Sequence, residues 1–100
     1  MQTDAFCEAV WAIVAQVPPG QVVSYGQLAI LAGKPHAPRL AGWAMRSAPE
    51  GLPCHRVLHS DGSLAPPDMF HGMQRRLLEQ EGVHFHKSGK VNMRRSGFRP

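Results

Sequence analysis

Proline and glycine punctuation restricts this chain to short elements. Pro18-Pro19-Gly20, Gly33-Lys34-Pro35, Pro49-Glu50-Gly51 and Ala65-Pro66-Pro67 leave no room for a long helix or a long strand. Proline has no backbone donor and disfavours helix in the residue before it, and glycine admits the turns that others resist. Apolar residues make up 43% of the 100 residues and aromatic ones only 7%. That supports one modest, mainly aliphatic core and one domain over residues 1–100.

The segments between breakers carry helical spacing. Phe6, Val10, Ile13 and Val17 mark the buried side of a first helix that Thr3 can cap and that runs to about Val17. Gln21 to Val23 is a short extended link. Ser24 and Gln27 have capping-box spacing, so each side chain can serve a backbone donor of the other. They open a second helix with Leu28, Ala29, Leu31 and Ala32 on its apolar face and Gly33 as its C-cap. A third helix is predicted from about Ala37 to Ser47. Two short helices joined by a tight turn with Gly form a helix-turn-helix pattern.

On the third helix Arg39, Trp43 and Arg46 share one face, Gly42 lies among them, and Ala37, Ala41 and Ala44 keep the rod thin. Leu40, Ala44 and Met45 are expected to turn inward. The outer face is basic and lean with one stacking aromatic, as close approach to a nucleic acid requires. Net charge is +4 with pI near 9.7, which fits a polyanionic partner.

Leu52 to His59 reads as a strand around Cys54. Ser60 to Ser63 is a turn, and Leu64 to His71 a loop whose Met69 and Phe70 either wall a pocket or plug the core. A fourth helix is predicted from about Gly72 to Glu81, with Met73, Leu77 and Leu78 inward. Val83 and Phe85, then Val91 and Met93, alternate around Lys87-Ser88-Gly89-Lys90 and predict a hairpin or wing with a basic tip. The whole is mainly α with short β elements, a winged-helix-like helix-turn-helix DNA-binding domain.

Pro53-Cys54-His55-Arg56-Val57 carries the chemistry. A thiol beside His and Arg is expected to favour its nucleophilic thiolate. Taken alone, such a cysteine is more often an inert packing residue, which is the reading given to Cys7 in its apolar helical stretch. Two cysteines make no disulfide framework. No CxxC or HxxxH spacing supports a metal site, although His84 and His86 would share a strand face. With no signal-peptide pattern and no membrane-length apolar run, a cytoplasmic monomer is expected, without membrane contact.

These residues resemble a known family. Gly20 to Ala29, Pro35 to Arg46, Pro53 to Val57 and Leu77 to Gly82 look like the DNA-binding domain of the O6-alkylguanine-DNA alkyltransferases. The resemblance implies that Cys54 accepts the alkyl group irreversibly, that His55 relays the thiol proton through a water, and that Glu81 orients His55. It implies that Tyr25 crowds the target phosphate, that Arg39 enters the stack, and that Ser24, Gln27, Trp43 and Arg46 belong to the DNA face. The base must be flipped out, since its O6 group is unreachable inside the duplex. Pro53, Arg56, Met69 and Phe70 would form the lesion pocket. No cofactor or metal is implied, and the partner is double-stranded DNA containing O6-alkylguanine.

The chain departs from the pattern. The usual N-terminal domain is not seen, Ala48 stands near a usual Asn, and Trp43 follows Gly42 where a second glycine is common. Ala65-Pro66-Pro67-Asp68-Met69-Phe70 replaces the usual aromatic and glycine loop. Length and the tail Ser96 to Pro100 resemble the alkyltransferase-like proteins. Those read O6-alkylguanine without repairing it and flag it to nucleotide excision repair proteins, and they typically lack the cysteine. A single-turnover transferase is the expected function, with a non-enzymatic lesion reader as the alternative. A major-groove regulator fits the lean third helix and the cysteine motif poorly.

Overall fold

The computed structural model describes residues 4–66, 70 and 72–100. Five helices and two short strands follow in the order α1 Ala5–Val14, β1 Val23–Ser24, α2 Tyr25–Leu31, α3 Pro38–Arg46, β2 Val57–Leu58, α4 Gln74–Gln80 and α5 Met93–Ser96. The helix-turn-helix is α2 and α3, as expected, and it packs on α1. Asp4 caps α1 by accepting from the Phe6 N–H at 2.9 Å, while Thr3 lies outside the described residues. The helix ends at Val14, three residues short of expectation. Pro18 and Pro19 lie just ahead, and tighter turns carry the chain to them and bury Val17.

The parallel pair β1–β2 joins distant segments, with Val23 beside Val57 and Ser24 beside Leu58. Successive strand side chains point to opposite faces, and this divides the interior. Val23 and Val57 join Phe6, Val10, Val14, Leu28, Ala41, Ala44 and Phe98 on the helix-turn-helix side. Val22 and Leu58 join Leu78, Val83 and Val91 on the other. Burying each such aliphatic side chain contributes about 1.5–3 kcal/mol. Cys7 packs beside the first cluster, in agreement with its packing role.

The orientation of α3 has a specific cause. Trp11 on α1 donates its indole N–H to the Ala44 carbonyl at 2.7 Å, satisfying an acceptor in the last turn of α3. Ala41, Ala44 and Met45 then face inward. Leu40 does not: it is 44% exposed, because the inward stripe is 41, 44 and 45. Leu31 at 41% and Met73 at 46% are likewise more exposed than their spacing suggests. Both stand at helix ends, beyond the packed faces.

The tail forms the expected hairpin, with a bridge between Phe85 and Val91 and a bond from the His86 N–H to the Lys90 carbonyl at 2.8 Å. It is pinned to the 60–63 turn through Val91 N–H to Gly62 carbonyl at 2.8 Å. Gly62 has φ +89, and a Cβ there would collide with the Val91 carbonyl oxygen. Helix α5 was not foreseen. It returns the chain to β1, where Val22 donates to Ser96 and accepts from Phe98.

Candidate active site and nucleic-acid interface

Cys54 and His55 sit not in a strand, as expected, but in a single 3-10 turn, Cys54–Arg56, that leads into β2. Pro53 precedes it with φ −77 and ψ 65, and the Arg56 N–H closes the turn on the Pro53 carbonyl at 3.0 Å. The turn exposes successive side chains in different directions, so Cys54, His55 and Arg56 have separate surroundings.

Glu81, at the end of α4, gathers two of them. His55 Nε2 lies 2.9 Å from Glu81 Oε2. Arg56 donates from Nε to Oε1 at 3.0 Å and from Nη2 to Oε2 at 2.7 Å, and from Nη1 to the Val17 carbonyl at 2.8 Å. The bidentate Arg56 bond, with His55 adding to it, lowers the Glu81 pKa to about 2. An ionised carboxylate only accepts, so the proton between His55 and Glu81 belongs to Nε2, which leaves Nδ1 as the other ring nitrogen.

Two expectations about the motif are corrected here. Arg56 does not serve the thiol or a lesion pocket: its guanidinium is committed to Glu81 and Val17 and ties the turn to α4 and to the end of α1. Nor is the free thiol activated. Cys54 packs against the apolar core, and burial raises its pKa, with only a backbone hydrogen bond opposing.

Gln74 was missed by the sequence reading. It is 4% exposed, accepts from the Ala65 N–H at 2.8 Å, and donates to the carbonyls of His55 and Val57, both at 3.0 Å. One buried amide thus joins the cysteine turn, β2 and the backbone at Ala65. The available signal was a polar residue one turn before Leu78 on the buried face of its helix.

Across the surface runs a cleft of about 360 Å³ lined by Tyr25, Pro38, Arg39, Gly42, Arg46, His59 and Pro66. The structure therefore brings Tyr25, Arg39 and Arg46 together. Trp43, 68% exposed, borders a neighbouring hollow with Arg39, Gly42 and Arg46. Among the described residues no ion pair uses Arg39 or Arg46. Tyr25 is raised in pKa by burial, against the opposing charge of Arg46 and with a further rise from Cys54, so the cleft and the thiol are electrostatic neighbours. His59 was not foreseen; its ring meets that of Tyr25 at 5.2 Å and 56°.

Ser24 and Gln27 do not join this surface as expected. Ser24 is 6% exposed and caps α2 by accepting from the Gln27 N–H at 3.0 Å. The Gln27 side chain, rather than returning to Ser24, donates to the Phe98 carbonyl at 2.7 Å. Both hold the fold together. Phe70 borders a separate apolar hollow of about 140 Å³ with Leu64, Ala65, Pro66, Gly72, Gln74 and Arg75. Met69 lies outside the described residues.

Residues 5–83 match the family described as 6-O-methylguanine DNA methyltransferase, DNA binding domain. The chain belongs to this family. Its alkyltransferase-type domain is 44% identical over 96 residues to the DNA base-flipping protein of Escherichia coli (strain K12), covering 92% of this chain and 73% of that protein. It is 50% identical over 66 residues to the methylated-DNA–protein-cysteine methyltransferase of Rattus norvegicus, covering 63% of this chain and 32% of that one. In structure it is similar to S. pombe Atl1 solved with damaged DNA containing O6-carboxymethylguanine, at TM-score 0.81 and 31% identity over the whole of both chains. The alkyltransferase family thus includes methyltransferases and base-flipping proteins, and this member has a helix-turn-helix in the family's arrangement.

Proposed function

We propose that this protein binds O6-alkylguanine in duplex DNA by flipping the base, and that Cys54 accepts the alkyl group in a single turnover. The observation that carries this reading is the His55–Glu81 pair, 2.9 Å apart, next in sequence to Cys54. In the reaction the sulfur forms a bond to the alkyl carbon, and the carbon–O6 bond breaks with its electron pair leaving on guanine. The thiol proton passes through a water to His55 at Nδ1, and guanine recovers one proton on release. Glu81 holds Nε2–H, so the ring accepts at its other nitrogen and the resulting imidazolium faces a carboxylate.

The raised thiol pKa gives this chemistry a condition. Burial favours the Cys54 thiol over its thiolate, so the reaction needs a base to take the proton. Arg39 and Arg46 would meet phosphates or the vacated stack, and Tyr25 the target nucleotide.

A second reading, the non-enzymatic lesion reader, is favoured by the same raised thiol and by the full-length likeness to Atl1. Intact mass after incubation with O6-methylguanine duplex separates the two. Transfer adds one methyl group, located on Cys54; tight lesion binding with no added mass leaves the reader. Arg39→Ala weakens lesion binding under either reading, and unchanged affinity in that variant would remove α3 from the interface.

A further inference from the structure

The largest cluster of positive charge in this protein lies outside its helix-turn-helix. Residues 83–100 contain five of the eleven Lys and Arg residues and none of the seven Asp and Glu residues. Residues 1–82 hold the other six cations against all seven acids, so their formal balance is slightly negative. The tail alone therefore carries a formal +5, against +3 for the helix-turn-helix residues 25–46. Lys87, Lys90, Arg94, Arg95 and Arg99 are all exposed.

This segment is fixed to the fold. Arg75 lies over the Phe85 ring at 4.4 Å, and the buried Ser96 hydroxyl accepts from the His84 N–H at 3.0 Å. Phe98 donates to the Val22 carbonyl just before β1 and accepts from the Gln27 side chain on α2, the helix that begins at Tyr25. At its other end Lys90 reaches Asp61 at 3.2 Å, two residues beyond His59 in the cleft wall. The basic tail is thus stapled to the two elements that carry Tyr25 and His59. A rigid cationic surface loses little freedom when it meets a polyanion.

We propose that the hairpin and α5 form a second contact with the DNA backbone, outside the lesion cleft. Lys87, Arg94 and Arg95 engage phosphates there, and the contact supplies affinity independent of sequence and damage. It rests on the reading that the α3 face meets duplex DNA, and it assigns that duplex a second point of attachment. Cations bound to phosphates release counterions, so each contact contributes about 0.9 to the slope of log affinity against log salt.

The test is a salt titration on undamaged duplex with the triple variant Lys87→Gln/Arg94→Gln/Arg95→Gln, its fold verified by circular dichroism. Loss of three contacts lowers the slope by about 2.7, so wild type loses about 40-fold more affinity than the variant between 50 and 200 mM salt. Lys87→Arg/Arg94→Lys/Arg95→Lys keeps the charges and the wild-type slope, and single Gln substitutions show partial losses should the triple variant fail to fold. The ratio of lesion to undamaged affinity stays constant throughout. A triple variant with the wild-type slope overturns the second contact. Wild type that binds no duplex at all instead overturns the underlying DNA reading.

Discussion

Gly42 stands in the middle of α3, where glycine is a poor choice for folding, and a Cβ built there meets nothing within 4 Å. Replacing helix-interior glycine by alanine contributes about 0.5–1 kcal/mol. For a domain of this size that raises the melting temperature by about 2–8 °C. Leucine has nearly the same helix propensity, so Gly42→Leu should melt close to Gly42→Ala. The two part company on DNA. Gly42 lines the Tyr25–Arg39 cleft and the hollow beside Trp43, so an isobutyl group there holds a backbone away from both arginines. The expected loss for Gly42→Leu is about tenfold or more, which corresponds to about 1.4 kcal/mol. Fluorescence anisotropy with a labelled O6-methylguanine duplex measures it, and thermal melts followed by circular dichroism measure the stability. A Gly42→Leu protein with parental affinity would refute the claim that this face presses on DNA. Gly62→Ala is the contrasting control: positive φ and collision with the Val91 carbonyl predict a loss of about 1–3 kcal/mol.

Three further outcomes follow from the site. Glu81→Gln strips the charge from a partly buried pair and costs about 1–3 kcal/mol, measured by urea denaturation. Because the Glu81 pKa is depressed from 4.5 to about 2, its stabilisation is complete above the unfolded value and is lost as pH falls through the folded one; Glu81→Gln flattens the stability profile across that acidic window. Gln74→Ala orphans one donor and two acceptors and costs at least about 2 kcal/mol, and Gln74→Glu is no better because its carboxylate faces the His55 and Val57 carbonyls; chemical denaturation ranks them. Iodoacetamide labelling of Cys54 in the free protein is slow at neutral pH and accelerates into the alkaline range, because burial favours the thiol; peptide mass mapping that found fast, pH-independent labelling would contradict this.

Local chemistry made the helix-turn-helix legible. The Ser24 cap, the breakers at Pro18 and Pro35, and the small inward residues of α3 act within a few positions of themselves, so their spacing carries the information. The hairpin was legible for the same reason. The parallel strand pair was not, because two-residue strands have no period and their register is set by side chains far away in sequence. Helix α5 is a single turn whose cap, Asn92, gives only a short signal. At the site, the identities of Cys54, His55 and Glu81 were readable, but the destination of Arg56 was not. Adjacency in sequence suggested help for the thiol, and the 3-10 turn sends the guanidinium to Glu81 instead. Gln74 was hidden because its partners are three backbone groups, which leave no side-chain pattern to find.

Strand β1 and Val22 just before it take partners that are all made later than themselves. Val23 waits for Val57, and Val22 waits for Ser96 and Phe98 before its N–H and carbonyl are satisfied. During synthesis, the helix-turn-helix can therefore collapse early, yet the strand at its base stays open until residues 96–98 have left the ribosome. Contacts of such sequence separation slow folding, and an unpaired strand edge invites pairing with other chains in the meantime. A nascent chain stalled before Gly97 should thus display its recognition helix while lacking the clasp that closes the domain.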